Sequence, residues 1–201
     1  GPKSAEVIQW ARTNNIEVVR GNHDDRYVQF SNKLENKKKP KWIKNYPDRL
    51  AIFQKLTPED IQFLKSTPTY IKISEIKTYI IHGGIIPGRK IEDQESNSLM
   101  HVRFLYDNGN CYSKAPLDAQ NGYCQPRNSF FWAEKYDGKW DIVYGHHVWD
   151  LKEIKTHENN FGAKCYGIDT GVCFGGHLTA MIIEPGKPHE IVQIEAKKKK
   201  V

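Results

Sequence analysis

The sequence predicts an α/β fold, and two observations lead to this prediction. Short β-like runs of apolar residues alternate with helix-like segments, and 38% of the 201 residues are hydrophobic, which is enough for one sizeable core. Several of the β-like runs end in short polar signatures marked by glycine. We therefore expect one domain over residues 1–195, followed by a disordered basic tail at residues 196–201.

The N-terminal third is expected to be mainly helical. Ser4 is expected to cap a helix that runs to about residue 14, and residues 16–19 are expected to form a short buried strand. The lysine-rich stretch from 25 to 49 should hold one helix and a surface loop. Thr57 followed by proline and two acidic residues predicts a helix start, with the helix ending near residues 66–68.

The rest of the chain predicts mainly strands. Two of them, at residues 70–73 and 78–81, should be joined by a tight turn at Ser74 and Glu75. The Asn- and Gly-rich stretch from 107 to 125 is expected to be a long loop of the kind that often contacts substrate. Later strands are predicted at residues 141–144, 164–168, 178–183 and 190–194.

Charge and composition limit the classes of partner. The formal charge is +6, and much of it lies in two lysine runs, at residues 37–41 and 197–200. A solvated loop and tail explain these runs better than a nucleic-acid surface, although nucleic acid and nuclear localisation stay open. No apolar run approaches the ~20 residues that span a bilayer, so no membrane partner is expected, and the compartment is left unknown.

The four cysteines leave the redox setting open. They are too few and too scattered for a disulfide scaffold, and they form no C-x-x-C zinc pair. Cys111 and Cys124 flank the long loop and could pair in an oxidising compartment, while free thiols are the alternative.

Three glycine-marked signatures predict a metal site. They read GNHD at residues 21–24, HGG at 82–84 and GH at 145–146, and each follows a β-like run. Asn22 offers a neutral oxygen, while His82 and His146 offer imidazole nitrogens. This mixture suits Mn, Fe, Zn or Co better than an all-oxygen Ca²⁺ site or a thiolate-rich zinc site.

In this order, the signatures resemble those of the calcineurin-like metallophosphoesterases. The resemblance is closer to the ApaH-like phosphatases, relatives of symmetrical diadenosine tetraphosphate hydrolases and of phosphoprotein phosphatases. The residues that carry it are GGIIPG at 83–88, Gln94, MHVR at 100–103, IDTG at 168–171 and GGHLTA at 175–180. It extends from residue 1 to about residue 184 and implies a β-sandwich of mixed sheets flanked by helices.

The resemblance also implies an activity, the hydrolysis of phosphoester or phosphoanhydride bonds by direct attack of water. Such enzymes use two divalent metal ions, here Mn, Fe, Zn, Co or Mg, that activate the water and clamp the phosphoryl oxygens. The substrate could be polyphosphate, a dinucleoside polyphosphate, a nucleotide cap or a phosphoprotein.

Residue roles follow from the same resemblance. Asn22, His82 and His146 would bind the second metal, and His23 would protonate the leaving oxygen or stabilise its charge. Asp24 would orient either the loop or the histidine. Arg103 is the first candidate for contacting phosphate and Arg20 the second, because a guanidinium matches phosphate oxygens.

Other notable residues are interpreted as structural. His147 is expected beside the site or at the surface, and Trp132 in the core. Asp169 is expected to stabilise a strand-to-turn connection by backbone hydrogen bonds. The glycines at 171, 175 and 176 are interpreted as tight-turn or close-packing positions, since neither a Walker pattern nor a G-x-G-x-x-G run is present.

The sequence departs from the family at its start. The family's Asp-x-His-Gly and Gly-Asp-x-x-x-(Arg or Lys)-Gly-Pro signatures, which supply the first metal's ligands and the bridging aspartate, are not among these 201 residues. We therefore expect a domain without its first strands that holds at most one metal alone and is weakly active or inactive. Two interpretations stay open, a fragment of an active enzyme or a catalytically dead member that binds phosphate or protein.

Overall fold

The computed structural model describes residues 3–36, 46–106 and 125–197, together with the backbone of residues 111–112, 117–118 and 122–123. The chain forms two compact units, Gly1–Pro68 and Thr69–Val201. Each unit contains its own cluster of buried apolar side chains.

The N-terminal unit consists of helices as far as the structure describes it. They are α1 (Ser4–Thr13), α2 (Asn22–Glu35), α3 (Pro47–Phe53) and α4 (Pro58–Ser66). The buried apolar cluster of this unit comes from α2 and α4, with partly buried residues of α1 and α3 packed around it. Its buried members are Tyr27, Val28, Ile61 and Leu64.

The predicted start of α4 is confirmed. Asp60 N donates to the hydroxyl oxygen of Thr57 at 3.3 Å, and the Asp60 carboxylate accepts from Thr57 N at 2.9 Å. The same carboxylate accepts from Arg12 Nε at 2.8 Å and Gln9 Nε2 at 3.1 Å. One buried carboxylate therefore both begins α4 and attaches α1 to it.

Two expectations for this unit are wrong. Ser4 does not cap α1, because the cap position is Lys3 and no side chain bonds there. Residues 16–19 are not a strand, since they pair with no strand among the described residues and a strand needs a partner ladder. Consequently the GNHD signature follows a segment without regular secondary structure, and it begins α2 instead of ending a strand.

The lysine-rich stretch also differs from its prediction. It contributes to two helices, α2 and α3, and α2 begins at Asn22, before the stretch itself. The loop predicted within it lies at residues 37–45, outside the described residues.

The C-terminal unit contains one more α-helix, α5 (Ser96–His101), and short strands. The strands are β1 (Tyr70–Ile73), β2 (Thr78–Ile81), β3 (Phe104–Tyr106), β4 (Cys111–Tyr112), β5 (Leu117–Asp118), β6 (Gly122–Tyr123), β7 (Ser129–Phe131), β8 (Asp141–Tyr144), β9 (Lys155–Glu158), β10 (Lys164–Gly167), β11 (His177–Ile182) and β12 (Glu190–Glu195). A short 3₁₀ turn, Ser74–Ile76, makes the predicted tight connection between β1 and β2.

The main sheet has five strands in the order β1-β2-β8-β10-β9. β2, β8 and β10 are parallel neighbours, while β1 and β9 pair antiparallel at the two edges. A smaller sheet is formed by β4, β3 and β7, and β11 with β12 forms an antiparallel ribbon. The mixed sheet confirms the predicted α/β class and brings the carboxyl ends of β2, β8 and β10 to one edge.

Six of the twelve described strands were predicted close to their observed bounds, namely β1, β2, β8, β10, β11 and β12. The sequence did not indicate β3, β7 and β9, nor the two-residue strands β4, β5 and β6. Of the stretch from 107 to 125, only three two-residue strands and Gln125 are described, so the predicted long loop lies largely outside the described residues. The Cys111–Cys124 pairing lies outside them as well, while Cys165 is a buried free thiol and Cys173 an exposed one.

The core of this unit lies against the main sheet and is rich in aromatic side chains. Trp132 is fully buried there, as predicted, together with Phe104, Phe131 and Ile142. Among the described helices, none is both long and apolar enough to cross a bilayer.

Candidate functional site

Two histidines meet at the carboxyl edge of the main sheet. His82 directly follows β2, and His146 lies two residues beyond β8, its parallel neighbour. Gly145 N donates to the carbonyl oxygen of His82 at 3.0 Å, which continues the pairing of the two strands past their ends. His82 Nε2 consequently lies 3.1 Å from His146 Nδ1.

This spacing fits two ligands of one metal ion. With metal–nitrogen bonds of about 2.0 to 2.1 Å, two cis imidazole nitrogens lie roughly 2.9 to 3.4 Å apart, depending on the coordination angle. The observed 3.1 Å lies within that range. The spacing is thus compatible with two imidazole ligands of one metal ion, and it equally fits a hydrogen bond between the two rings.

The ring of His146 is held in its neutral form. Burial lowers its pKa most, and the nearby Arg103, His82 and His101 lower it further, to about 2. Its Nε2 atom is buried and has no hydrogen-bond partner among the described residues. A neutral ring has a lone pair available, which is the form that binds a metal.

The backbone at His146 is unusual. Its φ is +68°, in the left-handed region that a residue with a side chain seldom adopts. Two hydrogen bonds hold the turn, from His147 N to the Gly145 carbonyl at 2.7 Å and from Arg103 Nη2 to the His146 carbonyl at 3.1 Å. The turn directs the ring of His146 back toward His82.

Arg103 adds a cation to the histidine pair. Its side chain is buried, and Nη2 lies 3.4 Å from His146 Nδ1 as well as within bonding distance of the carbonyl. A guanidinium beside two potential metal ligands is well placed to contact phosphate oxygens.

Glycine at position 83 allows α5 to approach the site. Gly83 N donates to the Leu99 carbonyl at 2.7 Å, and a Cβ at this position would lie only 3.0 Å from that oxygen. Since α5 ends at His101, this contact places the following Arg103 near His82 and His146. The next glycine, Gly84, packs against the ring of Trp132, where a Cβ would lie 2.4 Å from Cδ1.

The GNHD residues lie at the first turn of α2 in the N-terminal unit. Asn22 is buried, and His23 is exposed. The Asp24 carboxylate accepts from Gly21 N at 3.0 Å, and burial raises the pKa of Asp24 although this bond opposes the rise. This contact favours the loop-orienting role for Asp24.

Arg20 has a structural role in the N-terminal unit. Its Nη2 donates to the carbonyls of Lys65 at 2.6 Å and Thr67 at 2.9 Å, and Nη1 lies 3.6 Å from the carboxylate of Asp25. These contacts fix the end of α4 against the segment before α2. Its role in phosphate binding stays a prediction.

His147 lies in the core beside the site, not at the surface. Its ring packs edge-on against Phe104 and Trp149, and burial lowers its pKa to about 3.

Asp169, just beyond β10, accepts from Gly171 N at 3.1 Å, as expected for a strand-to-turn connection. Gly171 and Gly175 have positive φ values, as predicted for tight turns.

The structure adds His101 to the site, which the sequence did not single out. Its ring centre lies 6.4 Å from that of His146, and its Nδ1 lies 3.0 Å from the Asn97 carbonyl. Its place in the MHVR segment was the available signal. The described residues contain no group of three or more His, Cys, Asp or Glu side chains that could hold a metal.

Fold and site together define a class, α/β proteins with a histidine pair and an arginine gathered at the carboxyl ends of parallel strands. A family model described as calcineurin-like phosphoesterase matches residues 1–180. The chain therefore belongs to the calcineurin-like phosphoesterases, hydrolases that use divalent metal ions.

The similar proteins include two enzymes of the kind to which the predicted branch is related. A symmetrical bis(5'-nucleosyl)-tetraphosphatase of Wigglesworthia glossinidia brevipalpis is 25% identical over 233 aligned positions, covering 90% of this chain and 80% of that protein. The protein of the same description from Yersinia enterocolitica is 22% identical and covers 90% and 74%.

A solved structure confirms the fold. It is a crystal structure provisionally described as that of a diadenosine tetraphosphatase, with a TM-score of 0.68 and 17% identity. The match covers 95% of this chain and 73% of that one.

Proposed function

We propose that this protein is a metal-dependent hydrolase of phosphoanhydride bonds, with dinucleoside polyphosphates as its substrate class. The observation that carries the proposal is the His82–His146 pair, whose facing nitrogens lie 3.1 Å apart with the Arg103 guanidinium beside them. The names of the two bacterial relatives favour a dinucleoside polyphosphate over inorganic polyphosphate, a nucleotide cap or a phosphoprotein.

The proposed ligands of one metal ion are Asn22, His82 and His146. The two histidines are supported by their spacing, and Asn22 by its place in the ordered signatures of the family. A divalent ion bound there would polarise a phosphoryl oxygen and lower the pKa of the attacking water. Its identity among Mn, Fe, Zn, Co and Mg is left to experiment.

The remaining roles belong to side chains of this chain. Arg103 would hold the phosphoryl oxygens in place and balance the charge that develops on them. His23, exposed in the first turn of α2, would give a proton to the leaving oxygen. Asp24 would keep the Gly21 turn in shape through its bond to the backbone.

The test is hydrolysis by the 201-residue chain in the presence of Mn²⁺, Mg²⁺, Zn²⁺ or Co²⁺. Diadenosine tetraphosphate, inorganic tripolyphosphate, a cap analogue and a phosphopeptide are compared, and the products are separated by anion-exchange chromatography. Because the first-metal signatures are not among these 201 residues, slow metal-dependent release of ADP alone from diadenosine tetraphosphate is expected. Binding of that substrate with no turnover under any metal would favour the alternative, a catalytically dead phosphate-binding member.

A matched pair of variants makes the test specific. His82→Ala removes a proposed ligand, while His189→Ala removes a histidine that packs on Tyr166 and has no proposed role. Activity lost only in the first variant is expected, and equal activity in both would contradict the assigned site.

A further inference from the structure

The carboxyl edge of the main sheet also presents an exposed apolar patch that the hydrolytic roles do not use. It is formed by Val148, Leu151, Val172 and Phe174. Leu151, Val172 and Phe174 are exposed, and Phe174 leaves 46% of its surface accessible. Large apolar side chains exposed together in this way commonly mark a binding surface.

The patch is built around Gly171. A Cβ at this position would lie 2.8 Å from Leu151 Cδ2, 3.0 Å from Val148 Cγ1 and 3.5 Å from Phe174 Cδ2, so the three side chains converge over the glycine. Gly171 and Gly175 bracket the turn with φ values of +66° and +92°, and Phe174 N donates to the Gly171 carbonyl at 2.8 Å. The ring of Phe174 is therefore presented by a defined turn.

The patch continues directly from the histidine pair. Val148 is two residues from His146, so their Cα atoms lie within about 7.6 Å of each other. On the other side, a Cβ at Gly145 would lie 3.9 Å from Asp169 Cβ, which places the start of the Phe174 turn beside the His146 turn. Imidazoles, a guanidinium and an apolar surface thus follow one another along one edge.

We propose that this patch binds the nucleobase of a nucleoside polyphosphate, with the base stacked on the ring of Phe174. The proposal rests on the proposed function, because it takes the phosphates to lie at His82, His146 and Arg103. A nucleotide carries its base one ribose away from its phosphates, which matches an aromatic surface beside a cationic site. Aromatic rings bind bases through their faces, and Leu151, which converges with Phe174 over Gly171, would exclude water at one side.

The experiment compares two ligands that share phosphates but differ in the base. ADP and inorganic pyrophosphate are titrated into the 201-residue chain with Mg²⁺, with binding followed by calorimetry and saturation-transfer NMR of the adenine protons. Phe174→Ala is expected to weaken ADP binding by about fivefold or more and to leave pyrophosphate binding unchanged. Phe174→Trp is expected to retain ADP binding.

Phe161→Ala is the matched control. Phe161 is also exposed, at 64%, but it lies between β9 and β10, at the edge opposite the histidines. ADP binding by the Phe161→Ala variant should equal that of the wild type. Unchanged ADP binding in Phe174→Ala, equal weakening of both ligands, or no ADP binding by the wild type would each overturn the proposal.

The outcome separates this proposal from the proposed function. ADP binding that depends on Phe174 in a chain that hydrolyses nothing would support the base site and contradict the hydrolase. If the chain hydrolyses its substrate but Phe174→Ala leaves ADP binding unchanged, the hydrolase is supported and the base site is contradicted.

Discussion

Three features of His146 suit it to the proposed binding of a metal ion. Its backbone is in a left-handed conformation, its ring is kept neutral, and its Nδ1 faces His82 Nε2 at 3.1 Å. A left-handed residue with a side chain costs on the order of 1 kcal/mol or more, a cost that persists where surrounding contacts fix the conformation. Here the contact with the Arg103 guanidinium helps to fix it.

Replacing Arg103 tests the phosphate contact. Arg103→Lys keeps the charge but loses the planar fork, so we expect kcat/KM to fall by about 10- to 100-fold, which corresponds to ~1.4 to 2.8 kcal/mol. Steady-state hydrolysis of diadenosine tetraphosphate measures this. Arg89→Ala, at an exposed arginine in the loop before α5, should show no comparable loss. Unaltered kinetics in Arg103→Lys would remove Arg103 from the site.

Replacing His23 tests the proton donor. Because the side chain is exposed, His23→Ala should keep the circular dichroism spectrum and thermal midpoint of the wild type while phosphatase activity is lost. Full activity in this variant would show that His23 has no part in the reaction.

Among the helices, α4 depends on one buried carboxylate. Asp60 has a fully buried side chain and accepts hydrogen bonds from Thr57, Arg12 and Gln9. Burial alone would raise its pKa, but these hydrogen bonds hold the pKa below the ordinary value of an aspartate. The charged form is therefore favoured more strongly in the folded protein than in the unfolded chain.

Asp60→Asn should destabilise the protein by about 2 kcal/mol at neutral pH, because it removes a charge-assisted bond to Arg12. A lowered folded-state pKa gives a contribution that is complete above the unfolded value of about 3.9 and is lost as pH falls through the folded value. Urea unfolding at pH 7, 5 and 3 should therefore show the difference between wild type and variant shrinking at pH 3. A constant difference would contradict this.

The HGG turn should be sensitive at its second glycine. A Cβ at Gly84 would overlap the buried ring of Trp132, so Gly84→Ala should lower the free energy of unfolding by about 1 to 3 kcal/mol. Gly145→Ala is the control, since its Cβ would meet nothing closer than 3.7 Å. Chemical denaturation measures both, and equal stability of the two variants would show that Trp132 moves aside without cost.

The sequence predicted elements well where local chemistry was strong. The capping residues at Thr57 and Asp60 located α4, and apolar runs located β1, β2 and β8. β9, which reads KTHE, was missed because an edge strand pairs on one side and needs no apolar run. Residues 16–19 read IEVV, a β-like run, but they have no partner strand among the described residues. Whether a partner is present depends on the rest of the fold.

At the site, the proximity of His82 and His146 could be predicted, because each follows a strand and has glycine neighbours. Their role as metal ligands stays a prediction. The approach of His101 to His146 could not, since it depends on how α5 packs against Gly83. Similarly, the patch at Phe174 arises from the packing of Leu151 and Val148 over Gly171, which no local motif encodes.

At the scale of the whole molecule, the chain consists of two units with separate cores within a single family match over residues 1–180. The proposed histidine ligands, His82 and His146, both lie in the second unit. The 201 residues do not contain the family's Asp-x-His-Gly signature, so we expect this chain to bind at most one ion tightly.

Equilibrium dialysis followed by elemental analysis tests most directly whether His82 and His146 hold a divalent metal ion. Wild-type chain, His82→Ala, His146→Ala and the His189→Ala control are dialysed against Mn²⁺, Zn²⁺ and Co²⁺. We predict about one ion per chain in the wild type and the control, with loss of tight binding in both site variants. Metal content unchanged by either substitution, or two tightly held ions in the wild type, would contradict the account.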